Sequence, residues 1–451
     1  MKFGGTSVGG AERLVAVTEI VRARVESRPI VVVSALAGVT DLLLRAVELA
    51  TAGERDELEP VVADLERVHR WAITGSVDGP ERRHRLSLEV DRLMEDLRRR
   101  LRSIRVLGEA TARAADAVLA LGEDLAAPIL AAAMEERGLA TRAVDPRRLI
   151  VTDRRFGGAE PDLESSRGAC RATLGPLLEE GRIPVVGGFV GATPDGETTT
   201  LGRGGSDTSA AVLGLLLGAA EIQIWTDVDG LMSADPRLVP TARRLESVSF
   251  SEAAELACHG ARVLHPASIA PAVRAEIPVL VLNSLRPGSA GTSIVRDPPA
   301  GPRARPVAVA SRRGFDLLRA RSRQLRPDPG FAAECLRLCA DHGAFPEIVA
   351  GSQLSVSAAL PAGEGAGRLD RALGAIAEVE RVGDRALLWV VGSGLAADGE
   401  LRRRLLEELG RWGPDLVAAG ASELSLAALL DGARLEGCLR ELHRRFFEDR
   451  S

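Results

Sequence analysis

The residues best suited to chemistry stand at the start of the chain, in the run KFGGTSVG. Lys2 is the only lysine among 58 basic residues, and every other basic position is an arginine. A flexible ammonium group can follow an oxygen that moves during a reaction, which a planar guanidinium cannot do. Gly4 and Gly5 lack a Cβ, so backbone N–H groups beside them can approach phosphate oxygens. This combination predicts that Lys2 stabilises a transferring phosphoryl group; the alternative is a lysine retained by chance beside the first methionine.

A second polar loop lies at residues 198–207 and has the sequence TTTLGRGGSD. Its arginine, Arg203, stands between glycines and can bind a carboxylate through two parallel hydrogen bonds. Ser206 or Asp207 is expected to cap the apolar helix that follows as far as Leu217. The alternative is a flexible glycine-rich turn with an incidental cap, which the density of polar groups disfavours. The loop therefore predicts anion recognition.

A third polar segment, WTDVDGLMSADPR, continues from an apolar strand at residues 221–225. In open α/β sheets, loops at the carboxyl ends of strands form the ligand site. Asp227 and Asp235 could orient a ribose, a magnesium-bound water or the loop itself, and Arg237 could face phosphates. Each of these residues alone is more typical of a turn. Together, directly after a buried strand, they favour nucleotide binding.

Composition disfavours several other classes of function. The 451-residue chain has 45% hydrophobic and 27% charged residues and a formal net charge of −5, which is typical of globular proteins. It has no dense basic patch interleaved with aromatic residues, so we expect no nucleic-acid partner. The longest apolar run, Ala210–Ala220, is about half the length that spans a bilayer, so we expect no membrane partner. The five cysteines show no CxxC pairing, which predicts no metal site and a cytoplasmic location.

The pattern of apolar residues predicts the elements that position these loops. Short apolar strands alternate with helical segments through the first two thirds of the chain, which indicates an α/β fold with a mainly parallel sheet. A long charged stretch at about residues 55–138 has the periodicity of several amphipathic helices. The predicted strands of this part are Ile30–Val33, Pro184–Val190, Glu221–Trp225 and Pro278–Leu282.

A segment rich in proline, glycine and arginine at residues 297–303 marks a domain boundary. Beyond it, two strand–helix–strand rounds of similar length indicate a repeated small α/β module. We therefore predict one domain at residues 1–296 and a second region at 304–451, either divided roughly into 304–378 and 379–451 or with its two parts interleaved. The elements predicted there are strands Val307–Ser311, Gln353–Leu360, Ala386–Val391 and Leu424–Leu430, and helices Gly330–His342, Asp398–Trp412 and Leu435–Phe447.

These motifs in series resemble the signature segments of aspartate kinases, a branch of the amino-acid kinase superfamily. The resemblance is carried by KFGGTSV, TTTLGRGGSD, WTDVDGLMSADPR and HGARVLHP, with SALAGVTDLL, LGED and RFGGAEPD also in the expected order. The layout is most similar to the lysine-sensitive monofunctional type. The resemblance implies an α/β/α sandwich for the catalytic domain. It also implies two ferredoxin-like ACT regulatory domains, one of which is commonly inserted into the other.

The resemblance further implies a reaction and a set of site residues. ATP would phosphorylate the side-chain carboxylate of L-aspartate to give 4-phospho-L-aspartate, the first step of lysine, threonine and methionine biosynthesis. Mg²⁺ would be held largely by the phosphates, without a protein metal site. Glu123 would bind the substrate ammonium group and Arg203 its α-carboxylate. The roles carried over are phosphoryl transfer for Lys2, Gly4, Gly5 and Asp207, aspartate binding for Ser34, Thr40, Glu123 and Arg203, and nucleotide binding for Thr226, Asp227, Asp235, Arg237 and Arg262.

The C-terminal region would form a homodimer through its ACT domains and bind an amino-acid effector, with lysine as the expected one. The positions that correspond to the effector pocket are Phe331, Glu347, Ser352 and Gln353. Glu347 and Gln353 stand where the family usually has Asp and Glu. Loss of a carboxylate that pairs with a lysine ammonium group would weaken effector binding by about 1–3 kcal/mol.

Other functions remain open from the sequence. The chain could be another member of the same superfamily that acts on a different carboxylate, a carbamate or a nucleotide. It could also be an amino-acid sensor with a degenerate kinase domain, although the presence of Lys2, Glu123, Arg203 and Asp207 argues against that. A third alternative is one half of a bifunctional fusion with homoserine dehydrogenase.

Overall fold

The computed structural model describes residues 1–260, 266–298, 305–324, 328–363 and 365–448. The strands in chain order are β1 (Lys2–Phe3), β2 (Val31–Val33), β3 (Thr141–Val144), β4 (Ile183–Gly187), β5 (Val190–Ala192), β6 (Thr198–Thr200), β7 (Ile222–Thr226), β8 (Ser247–Ser249), β9 (Val279–Asn283), β10 (Thr292–Val295), β11 (Ala308–Ser322), β12 (Ile348–Gly351), β13 (Ser355–Pro361), β14 (Ala377–Val391), β15 (Leu416–Ala419) and β16 (Ser425–Asp431). The helices are α1 (Ala11–Arg22), α2 (Val39–Ala52), α3 (Arg55–Ser76), α4 (Pro80–Leu107), α5 (Ala112–Leu119), α6 (Leu121–Glu136), α7 (Leu163–Glu179), α8 (Gly205–Leu217), α9 (Phe250–Cys258), α10 (Ala270–Arg274), α11 (Phe331–Asp341), α12 (Ala366–Gly374), α13 (Gly399–Gly410) and α14 (Leu435–His443).

The described residues form two compact units. The first unit comprises residues 1–231 and 266–296, and the second comprises residues 232–260 and the described residues from 297 onward. The sequence placed residues 232–260 in the N-terminal domain, whereas the structure groups them with the C-terminal region. The physical reason is a shared core, because Ala234 and Val239 pack in the same hydrophobic cluster as residues of β14, β16, α13 and α14. The catalytic-domain limits of 1–296 stay a prediction.

The sheet of the first unit is mainly parallel, as predicted. Seven of its strands belong to this unit and run in the order β3-β4-β2-β1-β7-β9-β10. The neighbouring pairs are parallel except for the antiparallel pair of β9 and β10. From β1 the chain first adds β2 on one side and later β7 on the other. The loops after β1, β2 and β7 therefore meet at a topological switch point, where open α/β sheets bind ligands.

The predicted strand Pro184–Val190 is wrong near its end, because the structure divides it at residues 188 and 189 into β4 and β5. Phe189, between them, has a φ of 66°, a backbone conformation that is strained for a bulky side chain. A Cβ on Gly188 would lie 2.6 Å from the Cβ of Ser206, so only glycine fits there. After this break the chain turns into the antiparallel pair of β5 and β6, which brings the TTTLGRGGSD loop back to the sheet.

Helices cover both faces of this sheet and form the predicted α/β/α sandwich. The helices α1 to α6 share one hydrophobic core with β1, β2 and β4, whereas α7, α8 and α10 pack in a second layer. One helical stretch in the described part of the chain, Ala112–Glu136, is long and apolar enough to cross a membrane, but 78% of its most apolar window is buried. It is a core helix of the first unit and carries Asp116 and Glu123.

The second unit is built around a six-stranded antiparallel sheet in the order β12-β13-β11-β14-β16-β15. This unit consists of two βαββαβ halves, and each of the long strands β11 and β14 belongs partly to one half and partly to the other. Residues 315–321 of β11 pair with β13, and residues 385–391 of β14 pair with β16.

The first half, therefore, is the later part of β11, α11, β12, β13, α12 and the early part of β14. The second half is the later part of β14, α13, β15, β16, α14 and the early part of β11, residues 308–313. One half is thus inserted into the other. The boundary between the two halves therefore lies within both long strands rather than at residue 378.

Candidate active site

Lys2 and Asp207 form a buried ion pair at the centre of the first unit. Lys2 Nζ lies 2.7 Å from Asp207 Oδ1, and their side chains are only 12% and 11% exposed. Lys2 belongs to β1, between β2 and β7, and Asp207 lies in the first turn of α8. The predicted capping role of Ser206 or Asp207 is wrong, because α8 begins after Gly204 and has no side-chain cap. Asp207 instead fixes the lysine ammonium group and balances its charge.

The glycine-rich loop after β1 is fixed across the ends of β7 and β9. Gly4 N donates to Trp225 O at 3.1 Å, and Ser7 Oγ donates to the same carbonyl at 3.2 Å. Ser7 Oγ also shares a hydrogen bond of 2.7 Å with the buried Ser284 Oγ, a partner that the sequence analysis missed. A Cβ on Gly4 would lie 3.5 Å from Lys2 Nζ. The lysine ammonium group therefore lies close to Gly4, at the start of this loop.

Glu123 joins helix α6 to the SALAGVT turn after β2. Its side chain is buried, and Oε1 accepts a hydrogen bond of 3.0 Å from Ala35 N. Burial raises the pKa of Glu123 to about 8, although the positive charge of Lys2 acts in the opposite direction. Ser34 begins the same turn and is half-buried, and Thr40 is exposed in the first turn of α2. The structure thus brings Glu123 and Ser34 together, with Thr40 at the rim.

Arg203 is exposed, between two glycines of left-handed backbone conformation. The φ angles of Gly202 and Gly204 are 70° and 74°, which residues with a Cβ rarely adopt. Over the residues that the structure describes, no hydrogen bond or ion pair engages the Arg203 guanidinium group. Since an arginine without a protein partner can bind a carboxylate through two hydrogen bonds, the geometry favours the predicted anion site.

A buried carboxylate that the sequence analysis missed, Asp116, holds this loop. Its oxygens accept hydrogen bonds from Gly157 N at 2.9 and 3.0 Å, from Thr200 N at 2.9 Å and from Thr200 Oγ1 at 2.7 Å. Asp116 is 1% exposed. The available signal was a single acidic residue on the apolar side of a helix, which is costly to bury unless it is hydrogen-bonded.

A cavity of about 270 Å³ lies beside Glu123, between α4, α6 and the end of β3. Arg147 lines it and pairs with both oxygens of Asp124 at 2.9 and 2.8 Å. The Nε of the same arginine donates to Thr198 Oγ1 at 2.8 Å. This is a second connection between the start of α6 and the start of the TTTLGRGGSD loop.

The predicted nucleotide residues are divided between the two units. Thr226 ends β7 in the first unit and Asp227 follows it, and Thr226 Oγ1 donates to Asp227 Oδ1 at 3.1 Å. Two residues later, Asp229 accepts a hydrogen bond of 2.7 Å from Asn283 Nδ2 and pairs with Arg286. The loop after β7 is therefore tied to the loop after β9.

The other predicted nucleotide residues with described positions, Asp235 and Arg237, lie in the second unit. They pair with each other at 2.7 Å, and the Arg237 side chain is 83% exposed. The remaining one, Arg262, lies outside the described residues. The nucleotide role of all five residues stays a prediction.

The segment around Asp235 is held by the C-terminal end of the chain. Ser233 Oγ lies 2.8 Å from His443 Nε2, and both residues are buried. Arg440 Nε donates to Leu238 O at 2.9 Å, and Thr241 Oγ1 donates to a Glu448 carboxylate oxygen. Residues 232–241 therefore depend on α14 and the turn after it for their conformation.

The predicted effector residues make different contacts in the second unit. Phe331 is 4% exposed and packs in the core of the first βαββαβ half. Glu347 forms an ion pair with Arg312. Ser352 Oγ accepts hydrogen bonds from Leu354 N and Ser355 N at 3.2 Å, which closes the turn between β12 and β13. Gln353 is exposed, and the effector role of all four positions stays a prediction.

Comparison with known proteins agrees with this arrangement. The model of the amino acid kinase family matches residues 1–283. The chain is 33% identical to lysine-sensitive aspartokinase 3 of Escherichia coli (strain K12) over 99% of this chain and 98% of that protein. It is 31% identical to the chloroplastic aspartokinase 2 of Arabidopsis thaliana over 99% and 84%, respectively.

Two solved structures are similar over the whole chain. Escherichia coli aspartokinase III in complex with lysine and aspartate has a TM-score of 0.86 at 32% identity. The same enzyme in complex with aspartate and ADP has a TM-score of 0.81 at 31% identity. Each comparison covers 99% of both chains. The chain belongs to the aspartokinases of the amino acid kinase family.

Proposed function

We propose that this protein transfers the γ-phosphoryl group of ATP to the side-chain carboxylate of L-aspartate, giving 4-phospho-L-aspartate and ADP. The observation that carries the proposal is the Lys2–Asp207 ion pair above the glycine-rich loop, in the same unit as Glu123 and Arg203. A similar enzyme of known structure binds aspartate and ADP, which supports the choice of substrates.

In the proposed complex, aspartate is held by its two α substituents. Arg203 binds the α-carboxylate, and Glu123 binds the ammonium group, whose positive charge favours the ionised form of the buried glutamate. Ser34 and Thr40 border the same site. The side-chain carboxylate is then free to face the phosphate. Binding both α substituents fixes the reacting oxygen in position, and such positioning supplies much of the rate enhancement in phosphoryl transfer.

The transfer itself needs no covalent enzyme intermediate. A side-chain oxygen of aspartate forms a bond to the γ-phosphorus as the bond from that phosphorus to the bridging β-phosphate oxygen breaks, and ADP leaves with the electron pair. Lys2 neutralises charge on the phosphoryl oxygens during the transfer. Gly5 supplies a backbone N–H group beside it, Gly4 holds the loop to the end of β7 through its bond to Trp225 O, and Asp207 keeps the ammonium group in place.

ATP and Mg²⁺ complete the proposal. The nucleotide would be bound by Thr226, Asp227, Asp235, Arg237 and Arg262. Within the described ranges no group of three or more His, Cys, Asp or Glu residues could hold a metal ion, and Asp207 is already paired with Lys2. Phosphate oxygens and water are therefore the ligands we propose for Mg²⁺, which would neutralise the charge of the triphosphate.

We also propose regulation by an amino acid, with lysine as the first candidate because a similar structure contains lysine and aspartate. In this chain the ammonium group of an effector would compete with Arg312 for Glu347. We also propose a homodimer through the second unit. Two large apolar side chains are exposed there: Val349 on the edge strand β12 and Phe345 shortly before that strand. We propose a cytoplasmic location, which rests only on the pattern of cysteines in the sequence.

The test is an aspartyl-hydroxamate assay on the purified protein with ATP, Mg²⁺ and L-aspartate. We expect hydroxamate formation that requires ATP, Mg²⁺ and L-aspartate together, and no product when L-glutamate replaces L-aspartate. In parallel assays with added lysine, threonine or methionine, we expect lysine to inhibit. A folded protein that forms no hydroxamate would favour the amino-acid sensor. Faster reaction with another acceptor would favour a different member of the superfamily.

A further inference from the structure

The buried carboxylate of Asp116 connects two loops to one helix. Its four hydrogen bonds come from Gly157, in the RFGGAEPD loop, and from Thr200, in the TTTLGRGGSD loop. The two loops also bond to each other, because Ala159 N donates to Thr200 O at 2.8 Å. Hydrogen bonds to a buried charged group are among the stronger ones in proteins. The position of Thr200 is therefore set largely by Asp116.

Asp116 and Glu123 lie on the same side of a nearly continuous helical segment formed by α5 and α6. Helix α5 carries Asp116 and α6 carries Glu123, and Ala120 between them keeps helical backbone angles. Residues seven positions apart are separated by two helical turns and project from the same face, about 10 Å apart along the axis. The helix thus fixes the distance from the carboxylate that holds Thr200 to the carboxylate proposed to bind the substrate ammonium group.

Arg203 follows Thr200 by three residues, and its loop rests on the other loop that Asp116 holds. A Cβ on Gly202 would lie 3.3 Å from Gly157 O, so the two backbones are in close contact. Neither contact reaches the guanidinium group of Arg203 itself. The loop backbone beside it, however, is contacted by two groups that bond to Asp116, namely Thr200 along the chain and Gly157 across the contact with Gly202.

We propose that Asp116 is a positioning residue for the amino-acid substrate, which sets the spacing between Arg203 and Glu123. This inference rests on the proposed function, because it assumes that these two residues bind the α-carboxylate and the ammonium group. Both groups are attached to the same substrate carbon, so their spacing determines where that carbon sits. It thereby determines whether a side chain of aspartate length, rather than glutamate length, reaches the phosphate.

The main test is the Asp116→Asn variant, in which an amide N–H₂ group replaces one acceptor oxygen and faces backbone N–H donors. We expect the KM for L-aspartate to rise about 10- to 100-fold, while the KM for ATP changes less than twofold. The ratio of activity with L-glutamate to activity with L-aspartate should also rise. A KM for aspartate within twofold of the wild-type value would overturn the proposal, as would equal increases of both KM values.

Two further variants keep the test decisive. Thr200→Val removes a single hydrogen bond to Asp116, at 2.7 Å, and should raise the KM for aspartate about 3- to 10-fold without changing the KM for ATP. It replaces the main variant if Asp116→Asn does not fold, and it is held to the same criterion. Thr141→Val removes a buried hydrogen bond of 2.9 Å to Ala131 O, far along α6, and should lower thermal stability while leaving both KM values unchanged.

The wild-type protein separates failure of this inference from failure of the proposed function. If the wild type shows no aspartate-dependent phosphorylation, the proposed function is wrong and the inference falls with it. If the wild type is active and Asp116→Asn has a normal KM for aspartate, the function stands and Asp116 has only a structural role.

Discussion

The two loops that the sequence assigned to substrate and nucleotide are held by different parts of the chain. The TTTLGRGGSD loop at residues 198–207 is fixed within the first unit, by the buried groups of Asp116 and Lys2. The nucleotide-loop segment at residues 232–241 is fixed in the second unit, by α14 and the turn after it. The first loop therefore depends on the core of the catalytic sheet, and the second depends on the C-terminal end of the chain.

This difference has a functional consequence. Changes to residues that hold the first loop should act on aspartate binding, and changes to α14 should act on nucleotide binding. Kinetic constants measured separately for the two substrates will show whether the two loops behave independently.

The largest effect is expected for Lys2→Met, which removes the positive charge above the glycine-rich loop. We expect kcat to fall about 100- to 1,000-fold, with ATP binding by calorimetry little changed. Lys2→Arg should not restore the wild-type kcat, because a planar guanidinium group replaces a mobile ammonium group. A thermal melt must accompany the assay, since the variant leaves Asp207 without its partner. A kcat within tenfold of the wild-type value would rule out the role of Lys2.

The next largest effect is expected for Arg203→Ala. The loss of a charge-assisted pair with the α-carboxylate should raise the KM for aspartate about 10- to 100-fold, with an unchanged KM for ATP. Arg167→Ala, at an exposed position of α7, is the matched control and should leave both constants unchanged. If the KM for aspartate did not respond in Arg203→Ala, the substrate would have to bind elsewhere.

A pH dependence should distinguish the aspartate site from the nucleotide site. In the free enzyme the pKa of Glu123 is raised to about 8 by burial, so below that pH its neutral form predominates and attracts an ammonium group less. The KM for aspartate should rise as the pH falls from 8 to 6, by up to about tenfold per pH unit. The KM for ATP should not follow. In Glu123→Gln the KM for aspartate should be high throughout and independent of this titration.

The same shift makes a prediction about stability. The folded-state pKa of Glu123 lies above its ordinary value of 4.5, so the folded protein binds a proton that the unfolded chain has released. The free energy of unfolding of the ligand-free protein should therefore fall as the pH rises from about 5 to 8. Denaturant titrations of the wild type and of Glu123→Gln provide the check. Equal slopes against pH for the two proteins would contradict the assignment of the titration to Glu123.

The smallest effect is expected for Arg440→Ala, which removes the hydrogen bond to Leu238 O. We expect the KM for ATP to rise about two- to fivefold, the effect of one exposed hydrogen bond, and the KM for aspartate to stay the same. Arg403→Ala in α13 is the control, because its ion-pair partners lie within its own helix. An equal change in both KM values for Arg440→Ala would remove the distinction between the two loops.

Much of the fold could be predicted from local patterns, because apolar strands and periodic helices are local features. The strands near residues 31, 222 and 279 were found in this way. The strands β11 and β14 have 15 residues each, and the sequence predicted only about a third of each strand. Their other parts carry exposed charged residues, which hide the strand pattern. The exchange of strands between the two βαββαβ halves was not predictable in detail, because strand partners are set by tertiary packing rather than by local sequence.

The site was predictable where residue type alone indicates chemistry, and less so where a distant partner decides the role. Lys2 and Arg203 were selected as candidates from their types and their glycine neighbours, and their roles stay predictions. The predicted cap at Asp207 was wrong because Lys2, which is distant in sequence, provides a stronger partner. Asp116 was missed because its importance lies in four hydrogen bonds from two other segments, and a single acidic residue in an apolar helix does not reveal them.

The most direct test is the identity of the carboxylate that receives the phosphoryl group. Products of a reaction with ATP, Mg²⁺ and L-aspartate can be reduced with borohydride, which converts an acyl phosphate to an alcohol. Phosphorylation of the side-chain carboxylate yields homoserine, whereas phosphorylation of the α-carboxylate yields 3-amino-4-hydroxybutyrate. We predict homoserine as the sole amino alcohol, formed only with all three components. The α-carboxylate product, or ADP release without either alcohol, would contradict the arrangement in which Arg203 and Glu123 leave the side chain facing Lys2.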